Sequence, residues 1–227
     1  MNMRIIVVAD IHNDVENLIP YFEKVHNLDV DVIVCPGDFT DFNLPKGFSR
    51  VEMTKLIIEE LKNLEKPIVA VPGNQDREII SLLEEENISV HGKGKIINNI
   101  GFYGFGGAKT PFGSPYEPDE NEIKNGLKRG YDGVKDTKVK IQITHSPPAN
   151  TKLDIIPSGA HVGSEAVRKF IEEKQPLVAV AAHVHESRGI DTIGNCKIIN
   201  SGRFPEGYCG LIEIKDNMAE AKVISLI

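Results

Sequence analysis

From Arg4 to Asp14 the chain reads RIIVVADIHND: five apolar residues, Ile5 to Ala9, followed at once by a carboxylate, an apolar residue and an imidazole. A short β-branched run that ends abruptly in chemistry-bearing side chains reads as a buried strand whose carboxyl end opens onto a site. The run is too short for a signal-peptide core or a membrane helix, and no other apolar stretch approaches 18 residues. A soluble, cytoplasmic protein is therefore expected, with no membrane partner.

The pattern repeats downstream. Val15–His26 places Leu18, Ile19, Phe22 and Val25 at helical spacing, and Val30–Cys35 reads as a second strand. Val51–Leu64, Ile68–Val71 and Arg77–Glu86 continue as helix, strand and helix, so the first half implies βαβ units and a largely parallel sheet. Ile96–Asn98 and Phe102–Phe105 look like a hairpin turning at Asn99-Ile100-Gly101. From Gly106 to Asp136 the chain is rich in Gly, Pro, Asp and Glu, with one helix around Asp119–Arg129; it is expected to run over the surface. Lys138–Thr144, Ser164–Glu173 and Leu177–Ala182 resume strand, helix, strand. Four short runs then close the chain, Gly189–Ile193, Lys197–Asn200, Tyr208–Ile214 and Ala221–Ile227, and their turn-rich separation suggests antiparallel strands. No linker or internal repeat divides residues 1–227, so a single domain is expected, with a surface excursion at about 106–136.

Composition narrows the function classes. The 227 residues carry a formal net charge of -7, with 41% hydrophobic and 26% charged residues, which argues against disorder and against a general nucleic-acid binder. Cys35, Cys196 and Cys209 are odd in number and form no C-x-x-C pair, which suits a reducing compartment rather than a disulfide scaffold.

Five polar clusters each follow an apolar strand: Asp10-Ile11-His12, Gly37-Asp38, Gly73-Asn74-Gln75-Asp76, Thr144-His145 and His183-Val184-His185. Side chains at the carboxyl ends of neighbouring strands converge on one sheet edge, where α/β proteins place ligands. Carboxylate, imidazole and one amide oxygen, with no thiolate, suit borderline or harder divalent ions. The donors are too many for one tetrahedral zinc and fit two metals sharing a carboxylate, an arrangement that activates water against phosphate esters. Each cluster alone has a bland reading: a turn, a cap or a satisfied core histidine. Their succession, each on its own strand end, does not.

In that order, Asp-x-His, Gly-Asp, Gly-Asn-x-Asp, His and His-x-His, the chain resembles the calcineurin-like metallophosphoesterases, closest to their small prokaryotic phosphodiesterases. The resemblance runs from Asp10 to His185 and into the strand-rich tail. It implies an α/β fold of two packed mixed sheets flanked by helices, a four-layer αββα sandwich. It further implies two divalent ions, manganese foremost, with iron, zinc, nickel or magnesium as alternatives. Asp10, His12 and His185 would hold the first, Asp38 would bridge, and Asn74, His145 and His183 would complete the second. A metal-bridging hydroxide would attack phosphorus in line, in a small phosphorylated substrate.

The sequence departs from the family pattern in three places. Gln75 stands where many relatives carry a histidine that protonates the leaving group, and an amide cannot do so. Ala182 replaces the usual glycine before His-x-His, and Asn13 replaces a frequent glycine after His12; its amide could touch a phosphate oxygen or cap the next helix. His161, in the loop after the His145 strand, is a candidate proton donor, and Arg203 a candidate phosphate clamp. His26 and His91 read as structural. The rival readings are a nucleotide or protein monophosphatase and a non-catalytic scaffold for protein contacts on the same fold.

Overall fold

The computed structural model describes residues 2–227. Eleven strands and five α-helices follow in chain order: β1 Asn2–Val7, α1 Val15–His26, β2 Val32–Cys35, α2 Arg50–Lys62, β3 Ile68–Ala70, α3 Ile80–Glu85, β4 Gly94–Ile97 and β5 Ile100–Phe105. After these come α4 Glu120–Asp132, β6 Val139–Thr144, α5 Glu165–Lys174, β7 Val178–Ala181, β8 Gly189–Ile193, β9 Cys196–Asn200, β10 Tyr208–Lys215 and β11 Met218–Ser225. The strands form two mixed sheets, ordered β11-β10-β1-β2-β3 and β4-β5-β6-β7-β9-β8.

Period-two alternation builds the layers. Along β1, Met3, Ile5 and Val7 enter a core shared with the other sheet, while Ile6 faces the opposite way, toward α1, α2 and α3. Val32 and Val34 of β2 join the shared core and Ile33 and Cys35 the outer one. In the second sheet Ile141, Ile143, Val178, Val180 and Ile199 fill the shared core, and Ala179 and Ile198 turn outward to α4 and α5. Helix, sheet, sheet, helix is the expected four-layer sandwich.

Two expectations need correction and one needs a refinement. The tail strands pair antiparallel as expected, β8 with β9 and β10 with β11, but the two hairpins join different sheets. β10 and β11 pair antiparallel and complete the first sheet beside β1, whereas β9 runs parallel to β7 in the second. Pairing across such sequence distances leaves no local trace. The hairpin turns at Asn98 and Asn99, both left-handed at φ 48° and 64°, rather than at Asn99-Ile100-Gly101. Two left-handed residues match the twist of a tight hairpin, and asparagine tolerates that region. Lastly, only part of the 106–136 stretch lies on the surface. Helix α4, capped by Asp119 in a reciprocal bond with Glu122, buries Ile123 and Leu127 against the second sheet, and Val134 follows them in.

The parallel strands set the site. β1, β2 and β3 are mutually parallel in one sheet, and β5, β6, β7 and β9 in the other. Backbone bonds then zip the loops beyond their ends. Asp10 N–H donates to the Gly37 carbonyl (3.2 Å), His12 N–H to Asp38 (3.0 Å) and Ala182 N–H to His145 (3.0 Å).

Candidate metal centre

The loop after β1 is bent by residues in the left-handed region: Asp10 (φ 53°), His12 (φ 50°) and Asn13 (φ 64°). Asp38 (φ 52°) and His183 (φ 72°) share that conformation. Non-glycine residues held there cost about 1–3 kcal/mol each, and such strain gathers at functional sites. Two glycines permit the close approach of the loops. A Cβ on Gly73 would lie 2.0 Å from Asp38 Oδ1, and one on Gly37, at φ +110°, 2.8 Å from His145 Nδ1.

Seven predicted side chains come together at this edge. Ligand atoms of Asp10, His12 and His185 lie within 4.8 Å of one another, as do those of Asp10, Asp38 and His145. His12 Nε2 and His185 Nε2 stand 3.2 Å apart, and His145 Nε2 is 2.9 Å from Asn74 Oδ1 and 3.5 Å from Asp38 Oδ2. The rings of His145 and His183 are 5.1 Å apart. His183 and His185 do not point the same way along an extended strand. β7 ends at Ala181, and the left-handed His183 turns its ring toward His145 and the Lys109 carbonyl, while His185 faces Asp10 and His12.

The electrostatics are those of buried anions awaiting cations. Asp10 is 0% exposed, and neither of its oxygens has a hydrogen-bond partner; the nearest charged groups are His185 Nε2 at 3.7 Å and His145 Nδ1 at 4.0 Å. Burial alone would raise its pKa, but His185, with His145 and His12, pulls it below the ordinary value. Asp38 is likewise held low against its burial, by His145 and His12 and by the Gln75 N–H at 2.9 Å. Burial opposes charge on His145, yet Asp38 and Asp10 raise it to about 9; burial and the charge of His145 push His183 down to about 4. A buried carboxylate without donors is costly unless paired or bound to metal. The donor set of carboxylates, imidazoles and an amide fits divalent ions of borderline or harder character.

The remaining predicted residues do not join this cluster. Gln75 is buried with its side-chain oxygen unpartnered, and its backbone N–H donates to Asp38 Oδ1. Asn13 does not cap α1: Asp14 does, accepting from the Asn17 N–H, while the Asn13 amide donates to the Asn43 carbonyl at 3.2 Å. Arg203 follows β9 in a segment tied to the site by Phe204 N–H on the Ala9 carbonyl (2.9 Å), and its buried Nε has no partner. His161 Nδ1 lies 2.7 Å from the fully buried Asp154, which also accepts backbone N–H groups from Asn150, Thr151 and Gly163. His91 is structural, accepting from Gly106 N–H and stacked on Phe105 at 4.2 Å.

Sequence reasoning missed the residues that hold the loops. Asp76 caps no helix; its oxygens take N–H groups from Phe39, Thr40 and Gly73, and burial with the neighbouring Asp38 raises it to about 6. Arg50 donates to the Asp41 and Gln75 carbonyls, Asp41 lies 3.6 Å from His12 Nδ1, and the buried Asn200 holds the Val184 carbonyl at 2.8 Å. Only the Gly-Asn-x-Asp spacing marked any of these in advance.

A four-layer α/β sandwich with a carboxylate-and-imidazole cluster where its parallel strands end defines a metallohydrolase class. The chain belongs to the calcineurin-like phosphoesterases, whose family model matches residues 3–187, and is thus a metal-dependent phosphoester hydrolase of a dinuclear family. It is 36% identical over 222 residues to the Methanocaldococcus jannaschii protein MJ1162, covering 95% of this chain and 94% of that one. In fold it is similar to TT1561 of Thermus thermophilus, with TM-score 0.75 at 20% identity over the whole of both chains. A 5'-nucleotidase from Candida albicans superposes with TM-score 0.59 at 12% identity, across 99% of this chain and 51% of its own.

Proposed function

We propose that the protein hydrolyses small phosphodiesters or activated monoesters with two divalent ions, manganese foremost, acting in the cytoplasm as a single domain. The observation that carries the reading is Asp10, wholly buried with two unpartnered oxygens and ringed by His12, His145 and His185. Asp10, His12 and His185 would hold one ion, Asn74, His145 and His183 the other, and Asp38 both. Two such ions supply Lewis acidity, an activated water and compensation of phosphoryl charge.

The chain's own residues do the rest. Gly37 and Gly73 let Asp38 and Asn74 approach the cluster, and the Gln75 N–H fixes one Asp38 oxygen. Arg203, whose Nε has no partner and whose neighbour Phe204 donates its N–H to the Ala9 carbonyl, would clamp a phosphate oxygen. Asn13 and Gln75 contribute neutral amides to the same anion. His161, oriented by Asp154, presents its second nitrogen as the proton donor that Gln75 cannot be. Favouring diesters rests on the sequence's resemblance to the small prokaryotic phosphodiesterases of the family.

The test is turnover of bis(p-nitrophenyl) phosphate and p-nitrophenyl phosphate by chelator-stripped protein, before and after manganese. Metal-restored activity, higher on the diester, is expected. A metal-loaded protein that cleaves neither would favour the scaffold reading.

A further inference from the structure

Beside the metal cluster lies a groove of about 420 Å³ between the loop after β5 and the loop after β6. That volume falls within the range of small-molecule sites. Pro111, Phe112, Ile156, Val162 and Val184 line it together with His183 of the cluster. Lys109 and Glu186 also line it with opposite charges, so the groove has no net charge to offer a second phosphate. Phe112 is 97% exposed, so its aromatic ring is left in solvent. The other large exposed phenylalanines, Phe42 (61%) and Phe48 (44%), follow β2, another strand whose carboxyl end faces the site.

We infer that this groove seats a neutral, flat apolar ring carried on the substrate's phosphorus, and that Phe112 and Val162 set specificity for it. The inference rests on the phosphoesterase reading, because that reading places the phosphoryl group at the cluster containing His183. A ring on the same phosphorus then reaches the groove without a second anchor. Stacking on Phe112 removes apolar surface of both partners from water, the dominant gain available in an uncharged groove. A hydrophilic or very small ester group forgoes it.

The experiment holds the chemistry constant. Manganese-loaded protein is assayed on three p-nitrophenyl phosphodiesters whose other ester group is methyl, phenyl or thymidine 5'-yl. All three release the same phenolate, so kcat/KM differences report the spectator group. The phenyl ester is expected to exceed the methyl ester by about tenfold or more, a ratio within reach of one apolar pocket. Phe112→Ala and Val162→Ser should each bring that ratio toward unity; as a ratio within one preparation, it is insensitive to partial folding or metal loss. If the thymidine ester matches the phenyl ester, the ring is a nucleobase in nature; if it matches the methyl ester, the ring is a simple aryl group. Equal kcat/KM on all three esters in the wild type, or a ratio unmoved by both variants, would overturn the inference alone. No turnover on any of the three, with p-nitrophenyl phosphate left uncleaved as well, would overturn the phosphoesterase reading and the inference together; turnover of that monoester alone would overturn the inference only.

Discussion

Asp10 is wholly buried, neither of its oxygens has a hydrogen-bond partner, and the imidazoles of His185 and His145 stand next to it. Asp38, nearly as buried, has one oxygen on the Gln75 N–H and the other facing His145 and His12. Asp38→Asn should lower turnover at least a hundredfold and loosen both ions, since one neutral oxygen cannot offset two dications; elemental analysis beside the rate assay checks both. His183→Ala and His185→Ala should remove different ions, because their rings face His145 and Asp10 respectively; loss of the same single ion from both would contradict the arrangement. For proton donation, the slope of log rate against leaving-group pKa should be shallow in the wild type and in Gln75→Ala, and steep in His161→Ala. Gln75→His is not expected to restore the family's acid, because Asp76, next in sequence, already spends its oxygens on Phe39, Thr40 and Gly73. A slope unmoved by His161→Ala would remove that residue from the chemistry.

Elements were legible where periodicity is local, and opaque where partners are remote. Val15–His26 could be read from its spacing alone and is α1 to the residue. The parallel pairing of β9 with β7 could not be read, nor could the roles of Asp76, Arg50, Asp154 and Asn200. These are polar residues in or beside loops, and their hydrogen bonds are satisfied by segments that only the fold brings near. His91 is a further case: it sits between α3 and β4, stacked on Phe105, with Tyr116 OH at 3.1 Å. Burial lowers its pKa to about 4, helped by Arg129 and Lys93 and opposed by Glu84. Folded His91 is therefore neutral where the unfolded chain, near 6.5, takes a proton. Its stabilisation is complete above about pH 6.5 and is lost as pH falls toward 4, amounting to up to about 3 kcal/mol. Urea unfolding across that window should show the wild type losing more stability than His91→Gln. Parallel pH dependences in the two proteins would refute it.

At the scale of the molecule, two sheets share one core while their parallel strands deliver Asp10, Asp38, Asn74, His145 and His183 to one edge from separate stretches of sequence. The order of polar clusters made this legible, since each follows an apolar run and an open sheet collects strand ends. The rim was legible only as two stretches, Gly106–Asp136 and Pro147–Gly163; within and beside them no motif marks Phe112, Val162 or Glu186, which acquire meaning only from the groove they share with His183. Activity as described requires this edge to bind two ions. Isothermal titration of chelator-stripped protein with manganese tests that most directly. Two ions per chain are expected in the wild type. A stoichiometry of one, or no saturable binding, would contradict it.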